Sequence, residues 1–129
     1  MSWVNPGLNP EQKSAVLRIL AGEGRPNPYI IYGPPGTGKT VTLVEAVLQI
    51  FLLHPDARLL VATPSNSAAD LVAERLVATG KIRPGDLVRL NSFQRSEDSV
   101  PESVLPFCLK SDEDENLLKA SRHKILIRY

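Results

Sequence analysis

Eight consecutive residues, Gly33-Pro34-Pro35-Gly36-Thr37-Gly38-Lys39-Thr40, set three glycines, one ammonium group and one terminal hydroxyl at fixed spacing. Gly36 and Gly38 admit backbone conformations that a side chain would block, so successive N–H groups can converge on one anion. Lys39 adds a point charge suited to the β and γ phosphates of a nucleoside triphosphate. The Thr40 hydroxyl is a hard oxygen ligand of the kind Mg²⁺ prefers. With Pro34, Pro35 and Thr37 completing the turn, the eight residues match the P-loop pattern in full. The chemistry they imply is the grip of a purine nucleoside triphosphate and its Mg²⁺.

Such a turn works only with a strand running in and a helix running out. Tyr29-Ile30-Ile31-Tyr32, between Pro28 and Gly33, is a short apolar run that predicts a strand buried on both faces. From Lys39 to about Leu53 there is no Gly or Pro, which predicts a helix closed near His54 and Pro55. Its N-terminus would add a positive dipole end to the turn.

Other elements follow from capping and periodicity. Asn9, Pro10 and Glu11 read as an N-cap, a first-position proline and an acidic first turn. Ala15, Val16, Ile19 and Leu20 continue that helix until Gly22 and Gly24 end it. Leu59 to Ala62 predicts a second strand. Ser65, Asn66 or Ser67 then caps a helix from about Ala68 to Thr79, with Leu71, Val72 and Leu76 as its buried stripe, before Gly80. Leu87 to Leu90 predicts a third strand and Ile125 to Ile127 a fourth. Alternation of this kind points to the α/β class, a parallel sheet flanked by helices. Asn91 to Arg122 is read as an irregular surface insert.

The bulk properties narrow the field. A chain of 129 residues suits one modest domain, and 43% hydrophobic with 22% charged residues is the composition of a globular protein. A net charge of +1 leaves nucleic-acid binding to local donors instead of a basic surface. The single Cys108 cannot close an internal disulfide, and His54 and His123 do not have zinc-site spacing, so a reducing, intracellular setting is expected. The apolar stretch Val41 to Leu53 contains Glu45 and Gln49 and is too short to span a bilayer, and Met1 to Leu8 shows no secretory pattern.

Two charged features receive a plain reading. Asp112-Glu113-Asp114-Glu115 follows Leu105 to Leu109, but Pro106 and Lys110 spoil the buried strand that an acidic Mg²⁺ site needs, so a solvated loop is expected. Lys119, Arg122, Lys124 and Arg128 read as scattered surface charge.

Three segments in order, Leu8 to Gln12, Gly33 to Thr40 and Ala62-Thr63-Pro64-Ser65-Asn66-Ser67-Ala68-Ala69-Asp70, resemble the ordered motifs of superfamily-one RNA helicases. Tyr29 to Tyr32 and Val41 to Ala46 bring the likeness closest to the Armitage-type RNA-silencing helicases of the up-frameshift-like branch. The resemblance implies a partial RecA-like P-loop NTPase domain covering residues 1–129, with core motifs over 8–76. It implies that Gln12 contacts the adenine edge of ATP, since an amide donates and accepts together; an exposed polar residue on the first helix is the alternative. It implies that Thr63, Pro64, Ser65 and Asn66 touch single-stranded RNA through its backbone, although Ser65 to Ser67 could serve only as caps.

The same resemblance implies a cytoplasmic, ATP-dependent RNA helicase, with small-RNA silencing proteins as candidate partners and no membrane association. Oligomeric state is left open. His123 to Ile127 follows the family, whereas Arg128-Tyr129 stands where a threonine pair is expected. Hydrolysis in this class also needs an acidic Mg²⁺ ligand, a water-positioning residue and an arginine from later motifs. The 129-residue chain alone is therefore expected to be inactive, and a sheet lacking later strands is expected to aggregate. A DNA helicase of the same superfamily, or a non-catalytic nucleotide-binding or interaction fragment, are the competing expectations.

Overall fold

The computed structural model describes residues 1–34, 36, 38–92, 94–110 and 123–129. Pro35 and Thr37 of the glycine-rich turn, the acidic run 112–115, Lys119 and Arg122 lie outside the described residues. The chain forms two compact units, Met1–Pro55 and Asp56–Tyr129.

The first unit is built on two helices. Helix α1, Pro10–Ala21, starts where Asn9 accepts from the Gln12 N–H while Gln12 Oε1 accepts from the Asn9 N–H, a reciprocal capping box. It ends at Gly22, whose φ of 68° is the left-handed conformation that releases the last carbonyls to the following amides. Helix α2, Lys39–Leu53, packs against α1 and buries Val44, Val47 and Leu48, each such side chain contributing about 1.5–3 kcal/mol. Glu45 is also buried, at 1% exposure. Its carboxylate accepts from the backbone amides of Val4 and Asn5 and from Gln49, tying the N-terminal segment to α2.

The second unit is a four-stranded, all-parallel sheet with order β1-β4-β2-β3, made of β1 (Leu59–Ala62), β2 (Leu87–Asn91), β3 (Cys108–Lys110) and β4 (Ile125–Arg128). Helix α3, Asn66–Ala78, packs on β2 and β4. Strand register places Val61, Ile127 and Arg89 in one row, beside the row of Leu59, Ile125 and Leu87. Ile125, Ile127, Leu87, Ala69, Ala73 and Leu76 are all buried. The α/β expectation holds.

Three details depart from the sequence reading. Residues 29–32 are not in any strand, and Ile30 and Tyr32 are 78% and 93% exposed. An apolar β-branched run becomes a strand only when a neighbouring ladder takes its amides, and the described strands pair with one another. On α3 the buried stripe is Ala69, Val72, Ala73 and Leu76, while Leu71 is 40% exposed, because the helix turns its small residues toward the sheet. Within the insert, Cys108–Lys110 forms an edge strand paired with β2, directly after a 3₁₀ turn at Leu105–Phe107 that absorbs Pro106.

Candidate functional site

The glycine-rich turn has the backbone its composition requires. Gly36 and Gly38 have φ of 82° and 81°, in the region where an L side chain is strained. A Cβ on Gly36 would meet nothing within 4 Å among the described residues, which leaves room among them for an approaching group at that point. A Cβ on Gly38 would instead collide with the Gln12 amide.

The Gly38 carbonyl fixes the turn to both helices. It accepts from the Thr42 N–H at 3.1 Å, the Thr42 hydroxyl at 2.9 Å and Gln12 Nε2 at 3.3 Å. Gly38 is the N-cap of α2, and among the described residues no side chain caps that end, which leaves the first amides of the helix available to an anion. Lys39 Nζ donates to the Gly33 carbonyl at 2.6 Å, so the ammonium folds over the mouth of the turn. Thr40 follows in the first turn of α2 and is half-buried.

A cavity of about 530 Å³ lies on this side of the unit, walled by Gln12, Ala15, Tyr32, Gly33, Pro34 and Lys39 among others. Its volume falls in the range of small-molecule and cofactor sites, roughly 300–1,000 Å³. The structure therefore gathers Gln12, Gly33, Pro34 and Lys39 on one cavity. Gln12 is not a free surface amide here: both ends of its side chain are bonded, to Asn9 and to Gly38.

The second predicted cluster sits in the other unit, at the C-terminal end of β1. Thr63 donates its hydroxyl to the Ser65 carbonyl at 2.8 Å, Pro64 is exposed, and Ser65 Oγ caps α3 by accepting from the Ala68 N–H at 3.1 Å. Capping is thus one established role of Ser65. Asn66 Oδ1 accepts from Arg89 Nη2 at 2.9 Å.

That last bond leads into a network the sequence reading missed. Arg89, at 0% exposure, donates from Nε to Asp70 Oδ1 at 3.1 Å and from Nη1 to the Leu90 carbonyl at 2.5 Å. Arg95 grips both oxygens of Asp70, at 3.0 and 2.5 Å, and places its remaining donors on Asn91, Ser99 Oγ and the Ser99 carbonyl. All five guanidinium donors of Arg95 are thereby used. Burial alone would raise the Asp70 carboxyl, but the Arg95 hydrogen bonds and the charges of Arg89 and Arg95 outweigh it and hold Asp70 below its ordinary value. Burial pushes the nearby Cys108 thiol up. A signal existed in the sequence: a parallel strand is buried on both faces, so an arginine inside Leu87-Val88-Arg89-Leu90 demands a partner.

The family described as AAA domain matches residues 7–127. Human RNA helicase Mov10l1 is 52% identical over 127 residues, 98% of this chain and 10% of its own length. The Drosophila melanogaster protein named Probable RNA helicase armi is 47% identical over 113 residues, 87% of this chain and 10% of its own length. DNA polymerase alpha-associated DNA helicase A of Saccharomyces cerevisiae is 43% identical over 111 residues, 86% of this chain and 15% of its own length. The chain thus spans about a tenth of the length of the first two relatives. No solved structure matches it.

Proposed function

We propose that this chain, which belongs to the AAA domain family and carries the ordered motifs of the superfamily-one, up-frameshift-like helicases, is the nucleotide-gripping part of the first RecA-like lobe of an ATP-dependent RNA helicase of the silencing type. The observation that carries the reading is the turn itself. Two left-handed glycines and a helix N-terminus that no described side chain caps adjoin an ammonium group, and that group lines a cavity in the size range of cofactor sites.

The residues fit a magnesium-bound triphosphate. Backbone N–H groups of Gly36, Gly38 and the first turn of α2 would take phosphate oxygens, and Lys39 would exchange the Gly33 carbonyl for the β and γ phosphates. Thr40 would supply a hydroxyl ligand to Mg²⁺, whose chemistry there is to neutralise charge that develops on the phosphates. Gln12 would read the adenine edge, which requires it to release Asn9 or Gly38.

Thr63 to Asn66 would meet the backbone of single-stranded RNA at the C-terminal ends of the parallel strands, where open α/β sheets place ligands. Small hydroxyl and amide groups suit a contact that must accept any sequence. The setting is proposed to be cytoplasmic, and among the described residues no helix is long and apolar enough to cross a membrane. Silencing proteins are the partners this reading implies.

A second reading, a DNA helicase of the same superfamily, is favoured by the name of the yeast relative. A segment exchange separates the possibilities. The 127 matched residues placed into human Mov10l1 are expected to retain RNA-stimulated ATP hydrolysis, while the isolated chain shows negligible turnover. A chimera stimulated by DNA and not by RNA would favour the second reading, and a folded chimera with no hydrolysis would refute both.

A further inference from the structure

Among the described residues Arg89 is the largest fully buried side chain, and it does more than neutralise Asp70. Arg95 already holds both Asp70 oxygens, and among the described residues Asp70 is the one carboxylate paired with the two guanidinium groups. Arg89 also spends a donor on the Asn66 side chain, at 2.9 Å. A guanidinium has donors only, so the amide atom facing it is Oδ1, and the trigonal amide turns its NH₂ the opposite way.

Asn66 lines a cavity of about 90 Å³ together with Asn91, Ser92 and Arg128, at the C-terminal ends of β2 and β4. Its other polar walls are the Ser92 hydroxyl, the Asn91 amide whose oxygen is bonded to Arg95, the Arg128 guanidinium and Tyr129. The NH₂ groups of Asn66 and Asn91 and the Arg128 guanidinium are donors of the kind that meet phosphodiester oxygens.

We propose that Arg89 is the positioning residue of the RNA-backbone contact: it holds Asn66 Oδ1 so that the Asn66 NH₂ is presented to a phosphodiester of single-stranded RNA at this cavity. The inference rests on the reading of Thr63 to Asn66 given above. It makes a β-strand arginine with no exposed surface a determinant of RNA affinity.

Fluorescence anisotropy of a labelled decauridylate, with the native chain and its Arg89→Lys, Asn66→Ala and doubly substituted forms, tests this as a double-mutant cycle. Asn66→Ala is expected to weaken binding roughly tenfold, the loss of one hydrogen bond to a charged acceptor. Arg89→Lys, whose ammonium cannot serve Asp70 and Asn66 in one fork, is expected to weaken it by a similar factor, with no further loss in the double form. Additive losses, or native binding by Arg89→Lys, overturn the proposal. Should Arg89→Lys fail to fold, Asn66→Asp keeps an acceptor toward Arg89 and removes the outward donor. A folded Asn66→Asp protein with weakened binding supports the proposal, and native binding by it overturns the proposal. A native chain that binds no decauridylate refutes the RNA reading itself. The hold of Arg89 on Asn66 is then judged by the Asn66 side-chain amide resonances, which are expected to shift in Arg89→Lys and, if unmoved, rule that hold out.

Discussion

The turn at Gly33 to Thr40 and the network around Arg89 put polar groups to opposite uses. In the turn, polarity is local and open: among the described residues nothing lies within 4 Å of a Cβ placed on Gly36, and no side chain caps the N-terminus of α2. Around Arg89, polarity is long-range and closed: Asp70, Arg89 and Arg95 come from α3, β2 and a following loop and satisfy one another inside the unit. A group held ready for a ligand is left underbonded and recognisable from a short contiguous pattern. A group that holds structure is fully bonded and becomes visible only when distant segments meet.

Breaking the closed region is expected to give the largest effect. Asp70→Ala would leave Arg89 as an uncompensated buried charge and should cost about 3–5 kcal/mol in urea denaturation of the chain. A loss under about 1 kcal/mol, the level of an exposed ion pair, would mean the network contributes little to the fold.

The same pair sharpens the comparison through pH. Because the folded pKa of Asp70 is depressed, its contribution is fully present above the ordinary carboxylate value, near 3.9, and is lost as pH falls through the lower folded value. Acid unfolding of the native chain should therefore be steeper than that of Asp70→Asn, and equal slopes would show that Asp70 is not the group responsible.

Smaller effects belong to the helix ends. Ser65→Ala removes the side-chain cap of α3 and should lower stability by about 1 kcal/mol. Gln12→Ala breaks the capping box of α1 and the link to Gly38, with an expected loss of about 0.5–1 kcal/mol together with weaker preference for ATP over GTP. If Gln12→Ala changes stability alone, its amide is a cap and not a reader of adenine.

Much of this was legible because it is local. Asn9-Pro10 started a helix and Gly22 ended it; Lys39 to Leu53, Leu59 to Ala62 and Ser65 before α3 all stand where capping and periodicity placed them. What failed depended on partners far away in sequence. Tyr29 to Tyr32 has strand composition without a paired ladder, and Leu71 lost its place to Ala69 and Ala73 because close packing on the sheet favours small side chains. Cys108–Lys110 looked disqualified by Pro106, yet three residues suffice for an edge strand once β2 offers its bonds. In the site, the left-handed glycines and the start of α2 at Lys39 were readable from the local pattern, whereas the engagement of Gln12 by Asn9 and Gly38 was not, since the Gly38 bond joins residues 26 positions apart.

The most direct test of the central claim is a titration of a fluorescent ATP analogue, in Mg²⁺ buffer, against the native chain and Lys39→Ala. Saturable binding by the native chain, weakened roughly tenfold or more in Lys39→Ala, is the expected result, because a charge-assisted contact of about 1.4 kcal/mol is worth that factor. Equal affinity of the two folded proteins would contradict the claim that this turn and its ammonium group hold the triphosphate.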